Sequence, residues 1–288
     1  MQVSDVSRYL EAKRKDIDNA LAEIIEGYQW NLPVLKEAVS YSLFGGKRLR
    51  SIILLSVYSG LGGFEPDAMR FAAAIEMIQA YSLVHDDLPC MDNDNYRRGK
   101  ITCHKKFGEA IALLCGDALL TMAFETMLSS QAIRAELANR AAFEIAVAAG
   151  PRGMVGGQVL DLLLEGKTGE PCKVSRMYEM KTGALFEVSA KAGAVLADSP
   201  CQLADAAARW GRFFGYAYQI IDDLEDAGQG GTEEAKDTLV KELSQECACD
   251  EARDALVKSI QAASVPGFDQ VFLKNLSRMY MVKAGRLT

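Results

Sequence analysis

Apolar residues recur at three- and four-residue gaps along almost the whole chain, a period that leaves little room for anything but helices. In 5–28 the apolar face consists of Val6, Leu10, Ile17, Leu21, Ile24 and Ile25. The same spacing predicts helices over 34–44, 49–60, 67–88, 107–129, 131–149, 172–197, 201–227, 233–262 and 268–283. Alternating stretches that would mark half-buried strands are scarce. Gly45-Gly46, Gly60 to Gly63, Pro89, Gly99, Pro151, Gly156-Gly157, Gly169 to Pro171, Pro200 and Pro266 are expected turns. Ser199-Pro200 reads as an N-cap followed by proline in the first helical position. No Pro/Ser-rich linker, low-complexity tract or short repeat divides the chain. The expectation is an all-α fold, a single domain over 1–288.

At 288 residues the chain can bury a large core, and 49 % apolar residues exclude disorder over most of its length. A net charge of −7 disfavours nucleic acid, whose binding needs a basic face. No apolar run looks long enough to cross a bilayer, which takes roughly 18 residues. Met1 to Ala20 carries charges throughout, unlike a signal peptide. The seven cysteines are odd in number and scattered, with no Cys-x-x-Cys pair, so free thiols are expected rather than disulfides or zinc. These features point to a cytoplasmic protein without a transmembrane segment.

Two acidic clusters stand out against this background. The first is Asp86-Asp87-Leu88-Pro89-Cys90-Met91-Asp92, with Asp94 close behind. Pro89 should end the preceding apolar helix near Leu88, leaving Asp86 and Asp87 at a helix C-terminus, where the macrodipole disfavours negative charge. Bound cations are the simplest compensation. The second is Asp222-Asp223-Leu224-Glu225-Asp226. Asp222 and Asp226 share a helix face, with Gln219 and Gly215 continuing it toward the N-terminus. Such a face suits a polar cavity better than solvent or core. Carboxylates without His or Cys indicate a hard cation, and Mg²⁺ takes one or two carboxylates plus water and phosphate oxygens. A single cluster of this kind reads equally well as a solvated helix end; the pair does not.

Basic residues match these clusters. Gly45-Gly46-Lys47-Arg48-Leu49-Arg50 opens the apolar helix 51–60, a Gly-rich turn suited to an anion. Arg97-Arg98-Gly99-Lys100 follows the first cluster within a few residues. Lys181-Thr182-Gly183 interrupts an apolar helix, where a lysine needs a partner. Each alone reads as a surface charge; their joint occurrence suggests metal ions and phosphate in one mouth.

Together these residues resemble the trans-isoprenyl diphosphate synthases, in particular the bacterial farnesyl and geranylgeranyl diphosphate synthases. The run from Tyr81 to Asp94, followed by Arg97 to Lys100, is similar to the family's first aspartate-rich motif in the version with two extra residues between the aspartates. Thr102 to Lys105, Gly116-Asp117-Ala118, Gly156-Gly157-Gln158 with Asp161, Lys181-Thr182 and Gln219 to Asp226 continue the pattern in order. The resemblance implies a helical bundle around a central cavity, usually a homodimer. It implies that Asp86 and Asp92, with Asp87, bind Mg²⁺ on the allylic diphosphate, and that Asp222, Asp223 and Asp226 hold another Mg²⁺. It assigns Arg97, Lys181, Thr182 and Gln219 to the allylic diphosphate. It assigns Lys47, Arg50, Gln79, Arg98 and the backbone at Gly46 to isopentenyl diphosphate. Catalysis then rests on Asp86, Asp92, Arg97, Lys181 and Asp222.

The chain also departs from that pattern. The family usually has proline where Ser51 and Ile101 stand. After Asp226 the family continues with Gly-Lys, an acidic residue and Lys-Thr-Tyr-Pro, the lysine helping to bind diphosphate and close the site. Here the chain reads from Ala227 through Lys236-Asp237 to Lys241, as if shortened.

Three rival readings are a terpene cyclase, a non-catalytic partner subunit and a synthase with a C20 product. Lys47, Arg50 and Arg98 argue against the first, and both aspartate clusters argue against the second. For the third, the tail of the product should run back along helix 67–88. Ser82 lies about 6 Å below Asp86 on nearly the same face, while Tyr81 is rotated by roughly 140°. Helical geometry alone does not put Tyr81 in the tunnel, and a tyrosine packed against a neighbouring helix fits it as well; the resemblance makes an aromatic residue at this position the tunnel floor and favours a C15 product.

Overall fold

The computed structural model of the protein describes residues 3–165, 167, 169–228 and 239–286. Helices α1 (Val3–Gly27), α2 (Pro33–Leu43), α3 (Leu49–Gly60) and α4 (Met69–Asp86) follow the expected periods, with a 3₁₀ turn at Glu65–Ala68 leading into α4. Then come α5 (Cys103–Phe107), α6 (Glu109–Leu128), α7 (Ala135–Ala149), α8 (Met154–Leu164), α9 (Pro171–Tyr178), α10 (Ala184–Leu196) and α11 (Cys201–Gly228). Short α12 (Leu239–Glu242), α13 (Gln245–Ala262) and α14 (Val271–Ala284) complete the described chain. The fold is all-α. Two tiny antiparallel hairpins interrupt it: β1 (Tyr96–Arg97) with β2 (Lys100–Ile101), and β3 (Ser264–Val265) with β4 (Phe268–Asp269).

Prolines at the first turn start α2 and α9, where a missing N–H costs nothing. Ser244 caps α13 by accepting the Cys247 N–H at 3.2 Å. At the centre, α10 lies between α3 and α11. Its approach is set by glycine. A Cβ on Gly193 would sit 2.5 Å from the Leu54 carbonyl oxygen, and one on Gly211 the same distance from that of Phe186. Trp210 and Phe214 stack at 4.8 Å behind this contact, and buried Trp210 Nε1–H donates to Ser277 at 3.1 Å. On the other side α4 packs along α6.

Three expectations need correction. Gly156-Gly157 does not form a turn but lies inside α8, where no helix is foreseen from periodicity. The turn is made by Pro151 to Gly153, and a Cβ on Gly157 would lie 2.2 Å from the Lys181 nitrogen, so the glycine serves close packing. Segment 172–197 is not one regular helix: Glu179–Gly183 forms a π turn between α9 and α10. Finally, α6 is long and apolar enough by length and composition to span a bilayer. Its buried side packs against α2, α4 and α5, so part of that apolarity serves as core. The Lys236-Asp237 reading falls outside the described residues.

Candidate active site

A cavity of about 1000 Å³ opens between α3, α4, α8, α11 and the β1–β2 hairpin. Part of its wall is charged. Of the carboxylates, Glu76, Asp86, Asp92 and Asp222 line it; of the cations, Lys47, Arg48, Arg50, Arg97, Arg98 and Lys181. Gln79, Thr182 and Gln219 stand among them. Met154, Val155, Val159 and Leu162 of α8 and Leu113 of α6 add apolar side chains to the lining. Tyr81 and Ser82 both reach the cavity, although helical rotation alone does not put Tyr81 there. The Tyr81 ring meets His85 edge-on at 5.8 Å, and burial with nearby Asp86 pushes its hydroxyl up to about 12.

Local geometry explains how residues distant in sequence converge. The helix ends at Asp86, three residues before Pro89, which has no N–H to continue it, and the chain folds back so that the Asp92 N–H reaches the Asp86 carbonyl at 2.9 Å. Asp92 therefore joins Asp86 on the wall. The hairpin that follows turns at Arg98 (φ 53°) and Gly99 (φ 73°), the two positive φ angles of a type I′ turn. Thr102 donates to the Asp94 carbonyl at 2.8 Å and secures its base. This aims Arg97 and Arg98 at the mouth.

Asp87 behaves differently from Asp86. Its side chain is buried and is not among the lining groups. Arg97 donates to Asp87 Oδ1 through Nε at 2.9 Å and Nη2 at 2.7 Å, and to Asp94 at 2.5 Å. Burial lifts the Asp87 carboxyl, with Arg97 opposing. In the second cluster Asp223 is likewise turned from the cavity. It accepts from Gln219 Nε2 at 2.8 Å and from the Tyr178 hydroxyl, which itself accepts the Leu239 N–H at 2.9 Å. Burial raises the Asp223 carboxyl to about 6 despite those bonds. Asp226 is exposed and lies off the wall.

The π turn presents Lys181 and Thr182. Lys181 pairs with Asp161 of α8 at 2.5 Å, and Thr182 donates to Gln219 Oε1 at 2.7 Å. The partner the lysine requires is thus on the helix that Gly157 brings close. Across the mouth, Lys47 lies over the Tyr218 ring at 5.9 Å; Tyr218 first, then Asp222, hold its ammonium above the usual range against burial. Arg50 sits 4.1 Å over Phe186 and burial lowers its pKa, as it does for Arg98. A Cβ on Gly46 would lie 3.1 Å from Arg98 Nη2 and 3.2 Å from Arg48 Nη1, so bare backbone faces both guanidiniums.

Periodicity gave no hint of Arg48 and Glu76. Arg48, fully buried at φ 58°, pairs with Asp18 of α1 at 2.7 Å and Glu76 of α4 at 3.1 Å. Ser51 Oγ lies 2.8 Å from Glu76 and 2.6 Å from the Ala72 carbonyl, giving the departure from proline a structural role. The signal was available: Glu76 sits between Ile75 and Met77 in an otherwise apolar run. Among the described residues, buried Arg48 Nη2 and Arg50 Nε have no hydrogen-bond partner. Unsatisfied cationic donors in a cavity wall favour an anion.

The donor set also fits Mg²⁺. Asp86, Asp92 and Asp222 offer only carboxylate oxygen. Mg²⁺ takes one or two protein carboxylates and completes its shell with water and phosphate oxygens, a demand these side chains can meet.

Residues 32–243 match the family model described as Polyprenyl synthetase. The chain is 42 % identical over 225 residues to the farnesyl diphosphate synthase of Bacillus subtilis (strain 168), covering 77 % of this chain and 75 % of that protein. It is 38 % identical over 250 residues to the chloroplastic geranylgeranyl pyrophosphate synthase 9 of Arabidopsis thaliana, covering 83 % and 67 %. The crystal structure of an FPP/GFPP synthase from Zymomonas mobilis matches with a TM-score of 0.87 at 34 % identity, covering 96 % of this chain and 99 % of that one. An all-helical cavity of this kind, with relatives of this kind, defines a prenyltransferase. The chain belongs to the polyprenyl synthetase family, the trans-isoprenyl diphosphate synthases.

Proposed function

We propose that this prenyltransferase condenses isopentenyl diphosphate with dimethylallyl and geranyl diphosphate and releases farnesyl diphosphate. The observation that carries the reading is one cavity lined by carboxylates, by cations of which Arg48 and Arg50 each keep a donor without a hydrogen-bond partner, and by apolar side chains of α8. In this reading Asp86, Asp92 and Asp222 hold Mg²⁺, which supplies charge neutralisation to the leaving diphosphate. Arg97, Lys181, Thr182 and Gln219 orient the allylic diphosphate. Lys47, Arg50, Gln79, Arg98 and the Gly46 backbone hold isopentenyl diphosphate.

The allylic C–O bond breaks with its electron pair left on the diphosphate, whose charge Arg97 and Lys181 stabilise. The double bond of isopentenyl diphosphate forms the new C–C bond, and the proton released passes to the departed diphosphate. No protein base is required. The apolar side chains of α8 give the prenyl tail a surface to lie against and offer the cation no nucleophile. Tyr81 closes the tail tunnel at C15.

We further propose that 1–288 acts as a single domain, in the cytoplasm, as a homodimer. The dimer is supported by Leu114, Leu128, Phe143 and Leu163, which are 53, 56, 65 and 59 % exposed on the neighbouring helices α6, α7 and α8.

A C20 product is the second reading, favoured by the exposure of the α8 lining residues Val155 and Val159, 42 and 52 %. Product analysis from each allylic primer separates the two. The wild type is expected to stop at C15 and Tyr81→Ala to run to C20 or beyond. A C20 product from the wild type, or a C15 stop in Tyr81→Ala, removes Tyr81 as the floor. EDTA should abolish turnover and Mg²⁺ restore it; activity in EDTA overturns the metal assignment.

A further inference from the structure

We infer that Arg48 is a positioning residue: by occupying Glu76 it keeps the Arg98 guanidinium free for the diphosphate proposed beside Gly46, a role that rests on the proposed isopentenyl diphosphate site. Arg48, Glu76 and Arg98 all line the cavity, yet they come from three separate elements: the turn before α3, the apolar helix α4 and the β1–β2 hairpin. Arg48 and Glu76 are 2 and 4 % exposed, and a carboxylate so deeply buried needs a cationic partner. Two arginines compete for that place. Their guanidiniums flank the same stretch of backbone: a Cβ on Gly46 would lie 3.2 Å from Arg48 Nη1 and 3.1 Å from Arg98 Nη2.

The fold gives the carboxylate to Arg48. Its Nη1 donates to Glu76 Oε2 at 3.1 Å, and its Nε is tied to Asp18 of α1 at 2.7 Å. Ser51 Oγ lies 2.8 Å from the other carboxylate oxygen, Oε1. Both oxygens of Glu76 are thus engaged without Arg98. Among the described residues no carboxylate forms an ion pair with Arg98. Burial lowers the pKa of Arg98; of the charges around it, Glu76 and Asp87 attract it, Glu76 the more strongly, while Arg48 and Arg97 repel it. Arg98 is therefore drawn toward Glu76 and held off by the cation already there. Taking Arg48 away leaves a buried carboxylate beside a guanidinium that has no ion pair. An uncompensated buried charge is costly, so the two close on each other. Arg98 then turns inward, and its donors leave the diphosphate.

Calorimetry with isopentenyl diphosphate alone reads the effect without turnover, since no allylic partner is present. Arg48→Gln should weaken that binding on the order of 10- to 100-fold, the loss of one charge-assisted contact. In steady-state assays KM for isopentenyl diphosphate should rise alike, and KM for the allylic diphosphate should stay within about two-fold. Arg48→Gln combined with Glu76→Gln should bind isopentenyl diphosphate within about three-fold of wild type, because the carboxylate that captures Arg98 is gone. The combined variant carries neither buried charge, so it stays measurable if Arg48→Gln alone fails to fold. A crystal structure of Arg48→Gln should show Arg98 bonded to Glu76. Wild-type affinity in Arg48→Gln overturns the positioning role. Weak binding by the combined variant overturns it too, and makes Arg48 a direct ligand or an anchor of the turn. A wild type that binds no isopentenyl diphosphate sinks the proposed site instead; the variant crystal then decides, and an Arg98 still apart from Glu76 ends the inference.

Discussion

The two aspartate clusters face one cavity, but the chain delivers them differently. The first lies where a helix stops. Pro89 prevents α4 from continuing, the backbone turns on itself, and Asp86 and Asp92 reach the same wall although six residues separate them. The second lies inside α11, which runs on unbroken through Asp226. There only Asp222 lines the wall: Asp223 is turned to Gln219 and Tyr178, and Asp226, on the Asp222 face but one turn further along, sits exposed beyond the cavity. A broken helix gathers carboxylates, and a continuous one spreads them. The first cluster should therefore carry more of the metal-dependent charge stabilisation.

The largest expected effect tests that ordering. Asp86→Ala or Asp92→Ala should lower kcat by about 10³-fold, equivalent to the several kcal/mol that a metal site supplies. Asp222→Ala should cost about 10²-fold, since its cluster presents one wall carboxylate. Steady-state assays at saturating Mg²⁺ measure both, and thermal melts should stay near wild type because repelling charges are being removed. Equal losses from the two clusters would break the comparison.

Next in size are the cations that each cluster keeps company with. Arg98 stands on the hairpin that Asp87 anchors through Arg97, whereas Lys47 faces Tyr218 and Asp222. A charge-assisted hydrogen bond contributes about 1.5–3 kcal/mol, so Arg98→Gln or Lys47→Gln should raise KM for isopentenyl diphosphate roughly 10- to 100-fold. KM for the allylic substrate should move about three-fold or less. Equal shifts for both substrates would mean that the mouth does not hold two separate diphosphate sites.

Much of this arrangement is legible from residue spacing, and the illegible part has identifiable causes. Leu, Ile and Ala at helical intervals define α1, α3, α4 and α11 to within a few residues, because each helix buries one stripe. The acid and base runs carry their chemistry in their composition. The π turn at Glu179–Gly183 does not, since it accompanies the packing of Gly157 on a different helix. Arg48 is hard to see because its partners come from α1 and α4, 30 and 28 residues away. The different surroundings of Asp86 and Asp87 are not legible from spacing, because Asp87 is held by Arg97 from the β1–β2 hairpin, and the resemblance to a family motif groups the two as one ligand set.

The smallest expected effect is at Asp226. Its four-residue spacing from Asp222 puts the two about 6 Å apart along α11, close enough for a shared ion if both faced the cavity. Only Asp222 lines the wall, and an exposed charge interacts through water, where a partner contributes about 0–1 kcal/mol. That corresponds to a factor of about five at most, so Asp226→Asn should keep kcat within that range. The Mg²⁺ concentration for half-maximal turnover should shift about two-fold or less, against a much larger shift for Asp92→Asn. The contrast pits two carboxylates at similar sequence distance from their lead aspartate, one brought to the wall by a chain reversal and one left on a helix. A tenfold shift in the magnesium requirement of Asp226→Asn would make Asp226 a direct ligand and show that an unbroken helix gathers carboxylates as well as a broken one.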